Sequence, residues 1–188
     1  MSTSRLDEQV DAAWKWWNNL QPRETKSGVK LPGDRAALAR LRRCSSPLEA
    51  ATEPATAQLF KALDLHRTDR NIARTAVLAA VLAHVREPMP SKRIAEAIGA
   101  PAGGDATEAL VKPNRFKHLV SARGDEEILI AFRRVVAMLG RTANVKDLAR
   151  LILSWTDDEA GDRARTRFAF DYHGAGFAAP AAELTPSA

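Results

Sequence analysis

Residues 112–155 limit the possible folds more than any other part of the chain, because their apolar residues follow a helical period. The middle of this segment carries one apolar face with the spacing of an α-helix. The residues of this face are Ile128, Leu129, Phe132, Val135, Val136 and Leu139. Gly140 is typical of a helix end, and Asn144 with Asp147 three residues later resembles a capping pair that begins a helix. The segment therefore predicts three consecutive helices that pack together.

The residues outside these apolar faces are mostly basic. Basic residues outnumber acidic ones by nine to four between Lys112 and Arg150, and by seven to two between Arg23 and Arg43. Each of these two windows carries +5, and the whole chain also carries +5, so the remaining residues sum to −5. Two concentrated basic segments in an otherwise acidic chain favour a polyanion as the binding partner.

The rest of the chain also predicts helices and contains no strand pattern longer than a few residues. The further predicted helices are 5–21, 34–43, 55–63, 68–86, 91–99 and 157–172. Pro101, Gly103 and Gly104 interrupt the helical pattern. We therefore predict an all-α protein of two small helical bundles, or lobes. The predicted divisions are an N-terminal lobe 1–99, a short Pro/Gly-containing linker 100–111, a C-terminal lobe 112–173 and a disordered tail 174–188.

Two local patterns admit a structural or a functional interpretation. Trp16 lies away from the apolar face of the first helix, so it either packs against another element or stacks on a base. Three basic residues line the start of the helix predicted at 68–86, where cations are unfavourable for the helix dipole. They are Arg67, Arg70 and Arg74. Either a bound phosphate or ion pairs with Asp64 or Asp69 would explain them.

The chain lacks the sequence signatures of catalytic and cofactor-binding proteins. No glycine loop for phosphate is present, and the four histidines have no metal-ligand spacing. The acidic residues at 157–162 could hold Mg²⁺, but such residues more often cap a helix start. We therefore predict no enzymatic activity, no cofactor and no metal site.

The single cysteine, Cys44, fits a reducing cytoplasm, since it cannot form an intrachain disulfide. The longest apolar run, 76–83, is far shorter than the roughly 20 residues that span a bilayer. These features predict a cytoplasmic protein without a membrane partner.

Six motifs occur in an order and spacing that cover about 14–172, and their combination is more specific than any one of them. They are Trp14-x-Trp16-Trp17-x-x-Leu20, Gly33-Asp34-Arg35-Ala36-x-Leu38 with Arg42-Arg43, Arg115-Phe116-x-x-Leu119-Val120-x-Ala122-Arg123, Phe132-Arg133-Arg134, Asn144-Val145-x-Asp147-Leu148-Ala149 and Arg167-Phe168-Ala169-Phe170-Asp171-Tyr172. In this combination the chain resembles the small subunit of the type I-E CRISPR surveillance complex Cascade, the CasB family.

The resemblance implies a two-lobed helical protein without catalytic activity. Such subunits sit as a pair, so a second copy of the chain is one expected partner. The other expected partners are the Cascade backbone and large subunits, the crRNA-containing complex as a whole, and single-stranded non-target DNA. A positive groove is expected to help hold that displaced strand in the R-loop during antiviral defence. The acidic residues at 157–159 depart from relatives that are basic there, which puts DNA contact by that segment in doubt.

The resemblance motivates the groove, and the sequence indicates which basic side chains are exposed. The predicted nucleic-acid-binding residues are Arg42, Arg43, Arg70, Lys112, Arg115, Lys117, Arg123, Arg133 and Arg134. The alternative function is a stand-alone helical DNA-binding transcription regulator, because residues 91–99 read like the first helix of a helix-turn-helix. Pro101, Gly103 and Gly104 follow where a recognition helix should begin, which disfavours this alternative. A metal-dependent nuclease that uses the acidic cluster is a third, weaker hypothesis.

Overall fold

The computed structural model describes residues 3–24, 28–99, 108–157 and 160–174. Within these ranges the chain forms ten α-helices and two small two-stranded sheets, which confirms the all-α prediction. The helices are α1 (Thr3–Leu20), α2 (Arg35–Arg43), α3 (Pro47–Ala51), α4 (Pro54–Ala62), α5 (Asp69–Leu82), α6 (Ile94–Ile98), α7 (Pro113–Ser121), α8 (Asp125–Met138), α9 (Val145–Trp155) and α10 (Gly161–Tyr172). The strands are β1 (Arg23–Glu24), β2 (Lys30–Leu31), β3 (Glu87–Pro88) and β4 (Thr142–Ala143).

Side-chain caps begin several of these helices at the predicted positions. The Asp34 carboxylate accepts a hydrogen bond from the amide of Ala37 at 2.8 Å and begins α2. Asn144 accepts one from the amide of Asp147 at 3.0 Å and begins α9. Gly140 has a φ of +67° just after α8, a conformation that suits glycine and ends the helix as predicted.

Helix α5 lies at the centre of the buried core. All nine residues from 74 to 82 are buried, and α5 packs against α3, α4, α8 and α9. Helix α1 packs against α9, so segments from both predicted lobes share one buried cluster. The division into two lobes stays a prediction. Residues 100–107 of the predicted linker and 175–188 of the predicted tail lie outside the described residues.

The helix predicted to reach Arg86 is wrong at its C-terminal end, because α5 ends at Leu82. The chain turns there and enters β3, which pairs in parallel with β4. The amide of Arg86 donates to the main-chain oxygen of Arg141 at 2.8 Å. This pairing joins the residues that follow α5 to those that follow α8, and it places Arg86 beside Arg141.

Trp16 is part of the core, so its interpretation as a base-stacking residue is wrong. Its side chain is 7% exposed, and its Nε1 donates to the main-chain oxygen of Ala55 at 2.9 Å. Helix α10 returns to the core through Phe168 and Tyr172. The Tyr172 ring stacks on Phe116 with 3.6 Å between ring centroids, which fixes α7 against α10.

Candidate nucleic-acid interface

Arginines at two of the predicted binding positions join helix ends to one another. The Arg133 Nη1 atom donates to the Cys44 carbonyl at 2.6 Å, and its Nη2 donates to the Leu41 carbonyl at 3.2 Å. Arg42 Nε donates to the Ala83 carbonyl at 2.6 Å. These carbonyls lie at the C-terminal ends of α2 and α5, where oxygens lack helix partners and cations are favourable. The contacts therefore give Arg42 and Arg133 a structural role.

The arginines at the start of α5 have the same kind of partner. Arg74 is buried, and its Nη2 donates to the Leu153 carbonyl at 2.5 Å. Arg70 donates from Nη2 to the Thr156 carbonyl at 2.7 Å. Arg74 forms no ion pair with Asp64 or Asp69 among the described residues. Arg70 and Arg74 thus dock the start of α5 on the C-terminal end of α9.

The structure brings Arg115 and Arg134 together across one cleft. The cleft lies between α7 and α8 and has a volume of about 920 Å³. Both arginines are exposed, and neither has an ion-pair partner in the described part of the chain. The carboxyl group of Glu127 also lines the cleft, together with apolar residues that include the exposed Ile130. We call this site the α7–α8 cleft.

Lys117 and Arg123 lie together on the other side of α7. They line a groove of about 340 Å³ with the ring of Phe116. Arg123 already donates from Nη1 to the Val120 carbonyl at 2.8 Å, and its Nη2 lies 3.7 Å from the Asp162 carboxylate. Lys112 precedes Pro113 at the start of α7 and is exposed. Four predicted residues therefore belong to α7 or its ends, on two sides of that helix.

Arg43 lies apart from these residues, in the last turn of α2. It lines a shallow depression beside Glu49 and Glu53, and the latter carboxylate pairs with Arg40 at 2.8 Å. Arg133 links this end of α2 to α8 through the Cys44 carbonyl. The two basic sequence windows therefore meet at the junction of α2 and α8. Nucleic-acid binding by each of the nine predicted residues stays a prediction.

Two further arginines, distant in the sequence, lie side by side in the structure. Arg86 and Arg141 lie beside each other through the β3–β4 pairing, and their charges act on Arg42. Nearby, burial and, to a smaller extent, the charges of Arg133, Arg42 and Arg141 together lower the pKa of His84 to about 4. Strands of two residues leave no periodic pattern, so nothing in the sequence indicated that these arginines converge.

The exposed face of α10 is basic and carries an aromatic ring. Arg163 and Arg167 are exposed on this face, and Phe170 is 59% exposed. Asp157, before this helix, accepts a hydrogen bond from the amide of Ala160 at 2.9 Å. Asp158 and Glu159 of the acidic cluster lie outside the described residues. Within the described ranges, no group of three His, Cys, Asp or Glu side chains is arranged to hold a metal ion.

Fold and surface together define a class: an all-α protein that displays unpaired cationic side chains beside a cleft between two helices. Residues 37–173 match the family described as CRISPR-associated protein Cse2. The chain belongs to this family and is therefore a subunit of a CRISPR Cascade complex that acts in defence. The match begins within α2 and ends just after α10.

The chain matches no curated protein and no solved structure. Family membership confirms the resemblance identified from the six motifs. A Cascade subunit therefore replaces the stand-alone transcription regulator as the functional interpretation of the chain. In the part of the chain that the structure describes, every helix is too short or too polar to cross a membrane.

Proposed function

We propose that this protein is the non-catalytic small subunit of a type I-E Cascade complex and binds the displaced non-target DNA strand. Membership of the Cse2 family indicates that the chain is part of a CRISPR Cascade complex. The observation that carries the DNA-binding role is the pair Arg115 and Arg134, which line the α7–α8 cleft without a carboxylate partner among the described residues. Binding of the strand there stabilises the R-loop that forms when the guide pairs with its target.

The chemistry of the cleft favours a single strand bound without sequence preference. Guanidinium groups bind phosphate oxygens, which every nucleotide carries, and the binding weakens as salt rises. Apolar side chains such as Ile130 line the same cleft and offer unspecific contact to bases or sugars. Lys117 and Arg123 on the other side of α7 would extend the track along the strand.

The partners follow from the same proposal. The subunit is expected to pair with a second copy of itself and to contact the backbone and large subunits of the crRNA-containing complex. Arginines such as Arg42 and Arg133, which join helices within the chain, hold the scaffold on which the exposed cations are displayed.

The test uses the assembled complex with the double substitution Arg115→Ala and Arg134→Ala. We expect weaker R-loop formation and unchanged assembly. Loss of two phosphate contacts should lower the salt slope of single-stranded DNA binding by about 1.4, since each contact contributes roughly 0.7. The matched control is Lys15→Ala with Lys61→Ala, which removes two exposed charges from α1 and α4.

Native mass spectrometry of the mutant complex separates the two possible roles of these arginines. A complex that keeps its small subunits but forms R-loops poorly supports the proposal. A complex that loses the small subunit would show that Arg115 and Arg134 contact protein, and the control variant should lose neither property.

A further inference from the structure

Two rings from other helices hold the two ends of α7. The Tyr172 hydroxyl of α10 donates to the Val111 carbonyl at 2.6 Å, just before α7 begins. The Trp155 Nε1 atom of α9 donates to the Ala122 carbonyl at 3.2 Å, where α7 ends. Val111 and Ala122 both line the α7–α8 cleft, in which α7 forms one wall. The two bonds therefore fix this wall at both of its ends.

A chain of five buried aromatic rings connects α8 to α7 by way of α9 and α10. The successive centroid distances are 5.2 Å from Phe132 to Trp155, 5.3 Å from Trp155 to Phe168, 5.7 Å from Phe168 to Phe116 and 3.6 Å from Phe116 to Tyr172. Closely packed rings resist displacement, because any shift must move their neighbours as well. The position of α7 relative to α8 is thus set through α9 and α10.

The C-terminal end of α10 is fixed in turn by α6. A Cβ atom at Gly99 would overlap the Tyr172 carbonyl, so the close approach of the two backbones requires glycine. Arg93, which precedes α6, pairs with the Asp171 carboxylate at 2.8 Å. Burial raises the pKa of the Tyr172 phenol above its ordinary value, which keeps the hydroxyl protonated and able to donate. Tyr172 is therefore a fixed donor beside α7.

The two arginines of the cleft lie on its two walls. Arg115 belongs to α7 and Arg134 to α8, and both line the cleft. A shift of α7 therefore changes the separation of the two guanidinium groups. Two cations bind one ligand together only at a separation that matches the ligand. Residues that lock this separation therefore support binding without contacting the ligand themselves.

We propose that Tyr172 and Trp155 are positioning residues that hold α7 in place and so set the width of the α7–α8 cleft. Both side chains are buried and donate to main-chain oxygens at the ends of α7. They therefore act on a ligand only through the position of α7 and of its Arg115. This role rests on the proposed function only for the nature of the ligand.

Access to the cleft can be measured in the full chain without a ligand. Ala131→Cys places a thiol on the α8 side of the cleft, and its rate of alkylation reports how often α7 moves away. The native Cys44 is buried, and burial raises the pKa of its thiol, so it reacts slowly. Tyr172→Phe removes one hydroxyl and keeps the ring stack. We expect it to raise the alkylation rate at position 131 about fivefold, through the lost hydrogen bond.

The matched control is Trp16→Phe, which removes the same kind of bond elsewhere. Trp16 Nε1 donates to the Ala55 carbonyl at 2.9 Å, and this bond joins α1 to α4. Combined with Ala131→Cys, the control should lose stability in denaturant unfolding as Tyr172→Phe does, but its alkylation rate should stay within about twofold of the parent. An equal rise in both variants would reflect a general loss of stability and would overturn the positioning role. An unchanged rate in Tyr172→Phe overturns it as well.

Binding of a single-stranded oligothymidine separates this role from the proposed function. Tyr172→Phe should weaken binding about threefold and keep the salt slope, because both arginines of the cleft remain. Unchanged affinity in this variant overturns the positioning role if Arg115→Ala with Arg134→Ala does weaken binding. If that double variant also binds normally, the DNA-binding role of the cleft fails, and the faster alkylation still supports the positioning of α7.

Discussion

The side chain of Arg133 donates to the main-chain oxygen of Cys44 at 2.6 Å and so joins α8 to the end of α2. A second bond, from Arg133 Nη2 to the Leu41 carbonyl, spans 3.2 Å. The next residue, Arg134, lies in the α7–α8 cleft and is exposed. Two adjacent arginines of one helix therefore have different roles, since one stabilises the fold and the other remains available to a ligand.

Substitution of these neighbours should separate stability from binding. We expect Arg133→Ala to lower the free energy of unfolding by about 2–3 kcal/mol, because two carbonyls lose a charged donor. Arg134→Ala should change it by no more than about 0.5 kcal/mol. Denaturant unfolding measures both values. The two substitutions are at adjacent positions of α8, so each variant serves as the control for the other. Equal stability of the two variants would show that the Arg133 contacts do not hold α8 to α2.

Acid should destabilise the protein through His84. Burial, with the charges of nearby arginines, lowers the pKa of His84 to about 4, below its usual 6.5, so the unfolded chain takes up the proton first as the pH falls. The stability that depends on a neutral His84 is therefore complete above pH 6.5 and is lost progressively towards pH 4. At pH 4.5 we expect a loss of about 2 kcal/mol from this residue after allowance for its partial exposure.

The control for this effect is His84→Gln, whose side chain does not titrate. Unfolding free energies at pH 7.5 and 4.5 should fall less in the variant than in the wild type. Carboxylates also titrate in this range, so only the difference between the two proteins reports His84. An equal fall in both proteins would contradict the lowered pKa.

The sequence predicted the helices whose apolar residues recur with a clear helical period. It did not predict side-chain contacts between helices, because such contacts leave no periodic pattern in the sequence. The face of α8 from Ile128 to Val136 is buried as its spacing predicts, and Asn144 caps α9 as predicted. The bonds from Arg133 and Arg42 to helix ends were not predictable, because which carbonyl an arginine reaches depends on how distant helices pack. Basic residues in similar sequence contexts therefore have two different roles in the structure. Some join helices, and others face solvent.

Trp16 shows that sequence periodicity can also fail to predict the burial of an apolar residue. It lies off the main apolar face of α1, yet α4 covers it and Ala55 accepts its indole hydrogen bond. We expect Trp16→Phe to lower the unfolding free energy by about 1–2 kcal/mol, through the lost hydrogen bond and lost contact area. Its affinity for single-stranded DNA should stay within twofold of the wild type.

An exposed aromatic residue supplies the comparison. Phe170 is 59% exposed on α10, so Phe170→Leu should change stability by no more than about 0.5 kcal/mol. Fluorescence-monitored unfolding and a DNA titration distinguish the two variants. Loss of DNA affinity in Trp16→Phe without loss of stability would support base stacking by Trp16 and contradict its role in the core.

The last prediction compares Arg43 with Arg123, one from each basic sequence window. Together, Arg43→Ala and Arg123→Ala should weaken R-loop formation and leave subunit assembly intact. The structure also gives an order for the single substitutions. Arg43 has no hydrogen-bond or ion-pair partner within the described residues, whereas Arg123 already donates to the Val120 carbonyl and lies near Asp162.

A guanidinium that is already bonded offers fewer N–H groups to a phosphate, so Arg43→Ala should cost more affinity than Arg123→Ala. We expect the salt slope of single-stranded DNA binding to fall by about 0.7 for Arg43→Ala and by less for Arg123→Ala. Lys61→Ala, which removes one exposed charge from α4, is the matched control. If Arg123→Ala costs more than Arg43→Ala, the strand follows the groove beside Phe116 and does not reach the end of α2. If either variant drops out of the complex in native mass spectrometry, that arginine contacts a neighbouring subunit.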